Sequence, residues 1–600
     1  MANTGVVVAL ILLVVAFGGN WLWSRQSRKE QTERLVSGAR APDLLKEQSN
    51  VFNKKEILQL NDLAQLVEST DADRWPYVVT PNVYSAIGFA IANSIMIVGD
   101  DCIIIVDVTE SVAAGREILA AFRNITSKPV KAIIYTHNYP DHTYGDQGFV
   151  EKDQPRPEIW AHRSILPEFQ AFFYTSPIGY QRALRQFGVL TPNHINSGIG
   201  MKMRVTEKGQ ESGLIFPTKM FVGTERDITV AGVNMKLVHI PGETPDQIGV
   251  WLPDQKVFLC ADDVYRAFPN LYAIRGTKSR SLLDWTSSLD KIIDLEPHYL
   301  VPSHTRPLEG ANVILSLLTC YRDAIQFVHD QTVRFMNKGL LPDEIATKVR
   351  LPEHLATHPY LIELYGTVEW SVKGVFNTYM GWFSGDPVDL SPLTPDELAN
   401  RYVDLGGGVE RCVAAAQEAL DKGDHRWALT LASHVIRVDQ QNTAARRIAS
   451  LCMTALGNQQ ISSNGRNYYF TSALEVLGEV NTKIDGNRRV GLIRIVPMTT
   501  LFSLMRVRFI PETCPNTNTT VLFEFTDSKM FISLTVRNSI VLIGDRPLTS
   551  YQIKVKTTET VWREIAISKM AALKSYATGQ MAVEGGLVNF QNVMSCFEKD

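Results

Sequence analysis

The sequence predicts a multidomain chain in which an α/β layered domain is followed by an all-α domain and then by an α+β module. Length is the first observation, since 600 residues is several times the roughly 100–200 of one domain. The second is a change of pattern along the chain. Runs rich in β-branched residues alternate with helical periodicity up to about residue 318, helix start and stop signals dominate beyond it, and strands return after about residue 466. The third is composition: 45% hydrophobic and 20% charged residues describe a folded protein, and 63 acidic against 60 basic side chains give no positive field for gathering nucleic acid.

Ahead of these domains lies an uncharged apolar run, residues 5–23, whose helical length at ~1.5 Å per residue nearly spans a ~30 Å hydrocarbon core. Trp21 and Trp23 stand where an aromatic belt would. No basic residue precedes the run, and Arg25, Arg28 and Lys29 follow it. That asymmetry predicts a single-pass transmembrane helix with the rest of the chain in the cytosol, in preference to a cleaved signal peptide. Residues 25–75 read as a juxtamembrane linker ending in a helix marked by Ile57, Leu60, Leu63 and Val67. The seven cysteines contain no CxxC pair, which suggests neither a disulfide framework nor a cysteine zinc site and fits a reducing compartment.

In the α/β region, strands at 93–98 and 102–108 flank the Gly99-Asp100-Asp101 turn as a hairpin, and a helix at 112–122 leads to a strand at 130–136. Further strands are expected at 228–240, 249–252, 257–260 and 299–302, with a helix near 280–295. Past residue 318, Gly339 can stop a helix and Pro342 can start one. Thr394-Pro395-Asp396-Glu397 is a capping box with proline at the first helical position. The small-residue pattern of 409–456 resembles packed helix pairs, residues 458–466 read as a polar linker, and strands are expected at 521–525, 530–537, 540–543 and 553–556.

The chemistry concentrates at strand ends. His137, Asp141 and His142 follow the strand at 130–136, Glu243 lies in the Pro241-Gly242-Glu243-Thr244-Pro245 turn, Asp262 follows a strand at 257–260, and His304 follows Val301-Pro302-Ser303. A single histidine is more often structural than a ligand. Four strand-end loops that all carry ligand-type side chains favour a metal site. In order and spacing these motifs resemble the metallo-β-lactamase superfamily, an αββα fold. Glu243 in its turn, 213–218, 270–276 (Asn270-Leu271-Tyr272-Ala273-Ile274-Arg275-Gly276) and 301–304 resemble its zinc-dependent, type III alkyl sulfatase branch. Residues 321–332 and 365–372 are similar to that branch's helical dimerisation domain, and the last block to its sterol-carrier-like domain.

The resemblance implies a two-zinc site: His137, a second histidine and Glu243 around one metal, Asp141, His142 and His304 around the other, and Asp262 between them. Tyr139 stands where the second histidine belongs, so one or two Zn2+ per chain are expected, and Tyr139 can alternatively position substrate. Asp141 and Asp262 are the expected catalytic carboxylates. Asn270 and Arg275 match the sulfate-binding motif, with Pro269 where the family commonly has histidine. The implied activity is hydrolysis of sulfate esters of aliphatic or amphiphilic alcohols by a homodimer. A chain that only binds or presents lipid, or one that cleaves another ester, is the alternative. Trp370, Phe376, Tyr379, Trp382 and Phe383 either pack helices or line an alkyl-chain pocket. The expected boundaries are 1–24 for the anchor, 25–75 for the linker, 76–318 for the catalytic domain, 319–457 for the dimerisation domain and 458–600 for the sterol-carrier-like domain.

Overall fold

The computed structural model describes residues 76–192, 196–205, 211–483, 493–567 and 569–598. Its first seven strands, β1 (Tyr77–Thr80), β2 (Val83–Ala86), β3 (Ser94–Val98), β4 (Ile103–Val106), β5 (Val130–Ile134), β6 (Glu158–His162) and β7 (Lys219–Phe221), pair in sequence order into one sheet. A second sheet runs β13-β12-β11-β10-β9-β8, from β8 (Glu225–Val230), β9 (Val233–His239), β10 (Ile248–Leu252), β11 (Val257–Ala261), β12 (Tyr299–Pro302) and β13 (Leu308–Glu309).

Strand periodicity builds the layers. Ile104 and Val106 of β4 point at the second sheet and pack with Leu237, Val250, Leu259 and Val301. Their neighbours Ile103 and Ile105 point the other way, against Ile118 and Phe122 of the helix Val112–Arg123. A strand buried on both faces must read as continuous apolar residues, and Ile103–Val106 does. The outer face of the second sheet (Val238, Phe258, Leu300) is covered by Trp285, Leu289 and Ile292 of the helix Leu282–Asp294 and by the helix Ala311–Met336. Helices therefore cover both outer faces of two stacked sheets. The segment expected as one strand over 228–240 is a hairpin, because Ala231 and Gly232 turn the chain at φ 50° and 76°.

The helical region follows its start signals: Pro342 opens Pro342–Lys348, and the capping box of Thr394 and Glu397 opens Pro395–Leu405. Val409–Asp421, His425–Val438 and Thr443–Asn458 pack through Ala416, Ala428, Ala432, Ala445 and Ala449. The expected polar linker at 458–466 is instead a short connection, 459–462, between the helix ending at Asn458 and the helix Ser463–Leu477, and Ser462, Ser463, Asn464 and Arg466 are buried. They face inward because they donate to loop carbonyls, Ser463 Oγ to Ser197 and Arg466 to Asn196 of the first domain and Asn464 to Tyr365 of the helical region.

The last module is a five-stranded sheet in the order β16-β15-β14-β17-β18, formed by β14 (Thr519–Phe525), β15 (Met530–Arg537), β16 (Ile540–Gly544), β17 (Ile553–Thr557) and β18 (Ala582–Glu584). Phe502, Phe523, Trp562 and Phe590 form its core, which continues into Phe169 and Phe173 of the first domain. Cys514 and Cys596 form a disulfide. The sequence expectation of no disulfide fails here because tertiary pairing, with Ile510 N–H donating to the Cys596 carbonyl, brings two distant cysteines together.

Two further expectations are corrected. The transmembrane helix at residues 5–23 lies outside the described residues, and among the described residues no helix is long and apolar enough to cross a membrane. The longest, Ala311–Met336, carries Arg322, Asp323, Asp330 and Arg334 and buries its apolar stripe in protein. The supported fold is therefore the layered α/β domain, the helical domain and the sheet module, with no spanning helix among the described residues. A single-pass membrane localisation with a cytosolic catalytic region is likewise unsupported.

Candidate metal centre

Four strand ends converge on one point: β5 supplies His137, Asp141 and His142, β9 leads to Glu243, β11 to Asp262 and β12 to His304. The backbone turns sharply there, with Asp107, Ala261 and Thr305 at φ 57°, 50° and 66°. In the Glu243 turn a Cβ on Gly242 would lie 2.0 Å from Asp263 Oδ1 and 2.9 Å from the Trp285 ring, so only glycine lets the turn pack this closely.

Each of the three histidines has its Nδ1 tied to the scaffold. His142 Nδ1 lies 2.8 Å from the Asp107 carboxylate and His304 Nδ1 lies 2.8 Å from the Ile91 carbonyl, both pure acceptors, so both rings donate from Nδ1. Thr136 Oγ1 spends its proton on Asp107 and accepts from His137 Nδ1 at 2.9 Å. In the neutral rings all three Nε2 atoms are thereby left as lone pairs, and they are buried and without a hydrogen-bond partner. They face carboxylates: His142 Nε2 is 3.5 Å from both Asp141 and Asp262, and His304 Nε2 is 3.7 Å and 3.2 Å from them. Ligands ~2.1 Å from a tetrahedral metal stand about 3.4 Å apart, and these spacings match.

Two overlapping groups of such atoms can hold a metal, His137 with His142 and Asp262, and Asp141 with His142 and His304. The electrostatics draw positive charge to them. For His142, burial opposes protonation, but Asp262, Asp141 and Asp107 outweigh it and raise its pKa; His304 is raised against burial chiefly by Asp262. Burial would also lift Asp141, yet His142 and His304 pull it down to about 2. His137 goes the opposite way, to about 3, through burial and the neighbouring His142.

Glu243 belongs to neither group. Its Oε1 is 2.7 Å from Nη2 of Arg280, whose side chain is 2% exposed. The same Nη2 donates to the Tyr139 hydroxyl at 3.2 Å, and Nη1 donates to the Asn270 carbonyl. Burial pushes the Glu243 carboxyl up while Arg280 pulls it down. The guanidinium of Arg275 lies over the Tyr139 ring, 4.8 Å from its centroid, and its Nη1 is buried without a partner. Asn270 is fully buried, both atoms of its amide lack partners, and it does not line the cavity described next.

A cavity of about 1640 Å³ opens over Asp141, Glu243, Asp262 and His304. Arg275 and Arg280 share its polar floor, and Phe172, Ile178, Leu184, Phe187, Val189 and Met203 form its apolar wall. That wall comes from the helices Ile165–Tyr174 and Ser176–Gln186 and the segment after them, not from the aromatic series at 370–383, none of which lines the cavity. Sequence reasoning missed Arg280, which sits between two serines just before the helix Leu282–Asp294. It also missed Asp107, although a lone carboxylate directly after a fully apolar strand was a visible signal.

Residues 87–304 match the family model of the metallo-beta-lactamase superfamily, and residues 341–479 match that of alkyl sulfatase dimerisation. A linear primary-alkylsulfatase of Pseudomonas sp. (strain ATCC 19151) is 35% identical over 522 residues, covering 84% of this chain and 98% of the relative. An alkyl/aryl-sulfatase of Saccharomyces cerevisiae is 27% identical over 541 residues, covering 87% of this chain and 82% of the relative. The solved structure of the stereoselective inverting sec-alkylsulfatase Pisa1 from Pseudomonas sp. aligns with a TM-score of 0.82 at 26% identity, over 88% of this chain and 85% of that one. The superfamily implies a metal, and the bare Nε2 atoms beside Asp141 and Asp262 fit one. With both family models matched in order and one relative matched over nearly its whole length, the chain belongs to the alkylsulfatase family of the metallo-β-lactamase superfamily.

Proposed function

We propose that this chain hydrolyses sulfate monoesters of aliphatic or amphiphilic alcohols to the alcohol and inorganic sulfate, with zinc held by Asp141, His142 and His304 and with Asp262 beside it. One observation carries the reading: bare histidine nitrogens and two carboxylates converge at the bottom of a cavity that also holds an arginine whose Nη1 has no hydrogen-bond partner and an apolar wall. Relatives named as alkylsulfatases support the same substrate class. Zinc in such a set supplies a water acidified toward pKa ~7.

The chain's own residues do the rest. Arg275 offers a guanidinium fork to the tetrahedral sulfate, and Tyr139 supports that fork from beneath. Phe172, Phe187 and their neighbours take the alkyl chain out of water. Asp262, whose Oδ1 has no hydrogen-bond partner, accepts the proton of the attacking water. The water oxygen bonds to carbon while the carbon–oxygen bond to sulfate breaks. The electron pair leaves on sulfate, a base weak enough to depart unprotonated. Residues 76–318 carry this chemistry, and residues 319–457, joined through the continuous helix Ala311–Met336, carry a homodimer contact. The dimerisation match and the exposed Trp382 and Leu405 support the dimer.

Dodecyl sulfate incubated with the full chain in 18O-labelled water tests the reading. The expected products are free sulfate and labelled dodecanol. Label in the sulfate would overturn attack at carbon, and no sulfate from any chain length, with metal bound, would overturn the activity.

A further inference from the structure

We propose that the Arg280 guanidinium occupies the place of the first metal, so that the centre works with one metal ion and one resident arginine cation. This rests on the proposed metal centre and deepens it. The resemblance assigns the first metal to His137, a histidine at position 139 and Glu243. Position 139 is tyrosine, and its hydroxyl is already bonded to Arg280 at 3.2 Å. The Glu243 carboxylate is 2.7 Å from the same nitrogen, with both side chains almost fully buried. A divalent ion placed between Glu243 and His137 would share its carboxylate with a fixed positive charge and gain no imidazole from position 139.

The rest of the set agrees. The Arg280 fork reaches acceptors from three separate segments, the Glu243 turn, the Tyr139 loop and the Asn270 carbonyl, which anchors the cation in one position. His137 has no share in that anchoring, and its bare Nε2 groups instead with His142 and Asp262. Arg280 is thus a positioning residue. Through Tyr139 it sets the ring under Arg275, and so couples the missing metal's place to the anion-binding arginine.

Metal content separates this from the alternatives. Full chain is loaded with excess zinc, desalted and analysed for zinc per chain, with cobalt absorption as a second readout. Wild type is expected to hold close to one ion. Tyr139→His alone is expected to stay near one because Arg280 still occupies the place, whereas Tyr139→His with Arg280→Met is expected to approach two. Glu243→Gln should leave the count near one. Two ions in wild type, two in the Tyr139→His single variant, or loss of the single ion in Glu243→Gln overturns the proposal. The wild-type, single-variant and Glu243→Gln counts decide the matter if the double variant fails to fold. One ion with no release of sulfate refutes the sulfatase reading alone, two ions with sulfate release refute this inference alone, and no ion refutes both.

Discussion

The half of the centre formed by Asp141, His142, Asp262 and His304 differs from the half formed by Glu243, Tyr139 and Arg280 in what its polar atoms lack. In the first, the scaffold occupies the Nδ1 positions and leaves Nε2 atoms bare in a buried space. In the second, the carboxylate and the phenol already share a cation that belongs to the chain. Bare buried acceptors are costly unless something from outside completes them, so the first half, with bare atoms on His142, His304 and Asp262, is built for a ligand, whereas in the second Arg280 already meets one Glu243 oxygen and the Tyr139 hydroxyl and leaves Glu243 Oε2 as the bare acceptor. A guanidinium is also singly charged, cannot be chelated away and does not acidify water, so only the first half can supply a nucleophile.

The largest effect that would sharpen this contrast is His304→Ala. It should remove the ion and lower sulfate release by several kcal/mol of barrier, on the order of 10³-fold, measured as zinc per chain and kcat/KM. If activity survived without metal, the contrast would break. Next comes Arg275→Ala, which deletes charged hydrogen bonds to sulfate of ~1.5–3 kcal/mol and should lower kcat/KM roughly 10- to 150-fold while metal content stays at wild-type level. Arg275→Lys should recover only part of it, because an ammonium lacks the fork.

Asp107→Asn should act on the metal half alone, weakening metal affinity about 10- to 100-fold in a competition titration with a chromophoric chelator. Asp107 accepts from Thr136 N–H and Oγ1, Ser303 Oγ and His142 Nδ1, so an amide there disturbs the imidazole without touching the metal. The smallest effect on turnover is expected at Asp146, in neither half. Burial lifts its pKa from 3.8 to about 7 against the Tyr135 hydrogen bond. Tyr135 has one hydroxyl proton facing two acceptors, Asp146 and the Ile215 carbonyl, and a neutral Asp146 resolves the shortage by donating. The folded state therefore holds this proton more tightly than the unfolded chain. Stability should fall as pH rises from about 4 to about 7, by up to ~4 kcal/mol, and level off above. Asp146→Asn should flatten that slope in thermal melts of metal-free protein and leave sulfate release near wild type.

The convergence of His137, Asp141, His142, Glu243, Asp262 and His304 at strand ends is legible in the sequence because apolar runs ending in polar residues mark where strands stop, although Glu243 meets Arg280 there and joins neither group that could hold a metal. The hairpin of β3 and β4, the helix Val112–Arg123 and the Thr394 capping box are legible for the same local reasons. Arg280 is not: nothing local tells an arginine between serines at a helix start from a solvated one, and only tertiary packing puts it beside Glu243. The buried polar stretch at 463–467 misleads for a related reason. Its donors are satisfied by carbonyls hundreds of residues away, which hydropathy cannot see. The aromatics at 370–383, which the sequence allows either to pack helices or to line an alkyl pocket, do not line it, and the apolar wall lies in the insertion between β6 and β7.

The cavity that receives the proposed substrate is closed on one side by Arg494 and Ile495, which belong to the last module and not to the domain that carries the metal ligands. Its doorway is thus a seam between two independently built walls. A change in the width of that seam would alter how wide a guest can enter without moving the strand ends that carry the ligands. Selection on guest size can therefore act on residues that never meet the reacting bond, and the sheet module works as the jamb of a door whose lock is elsewhere.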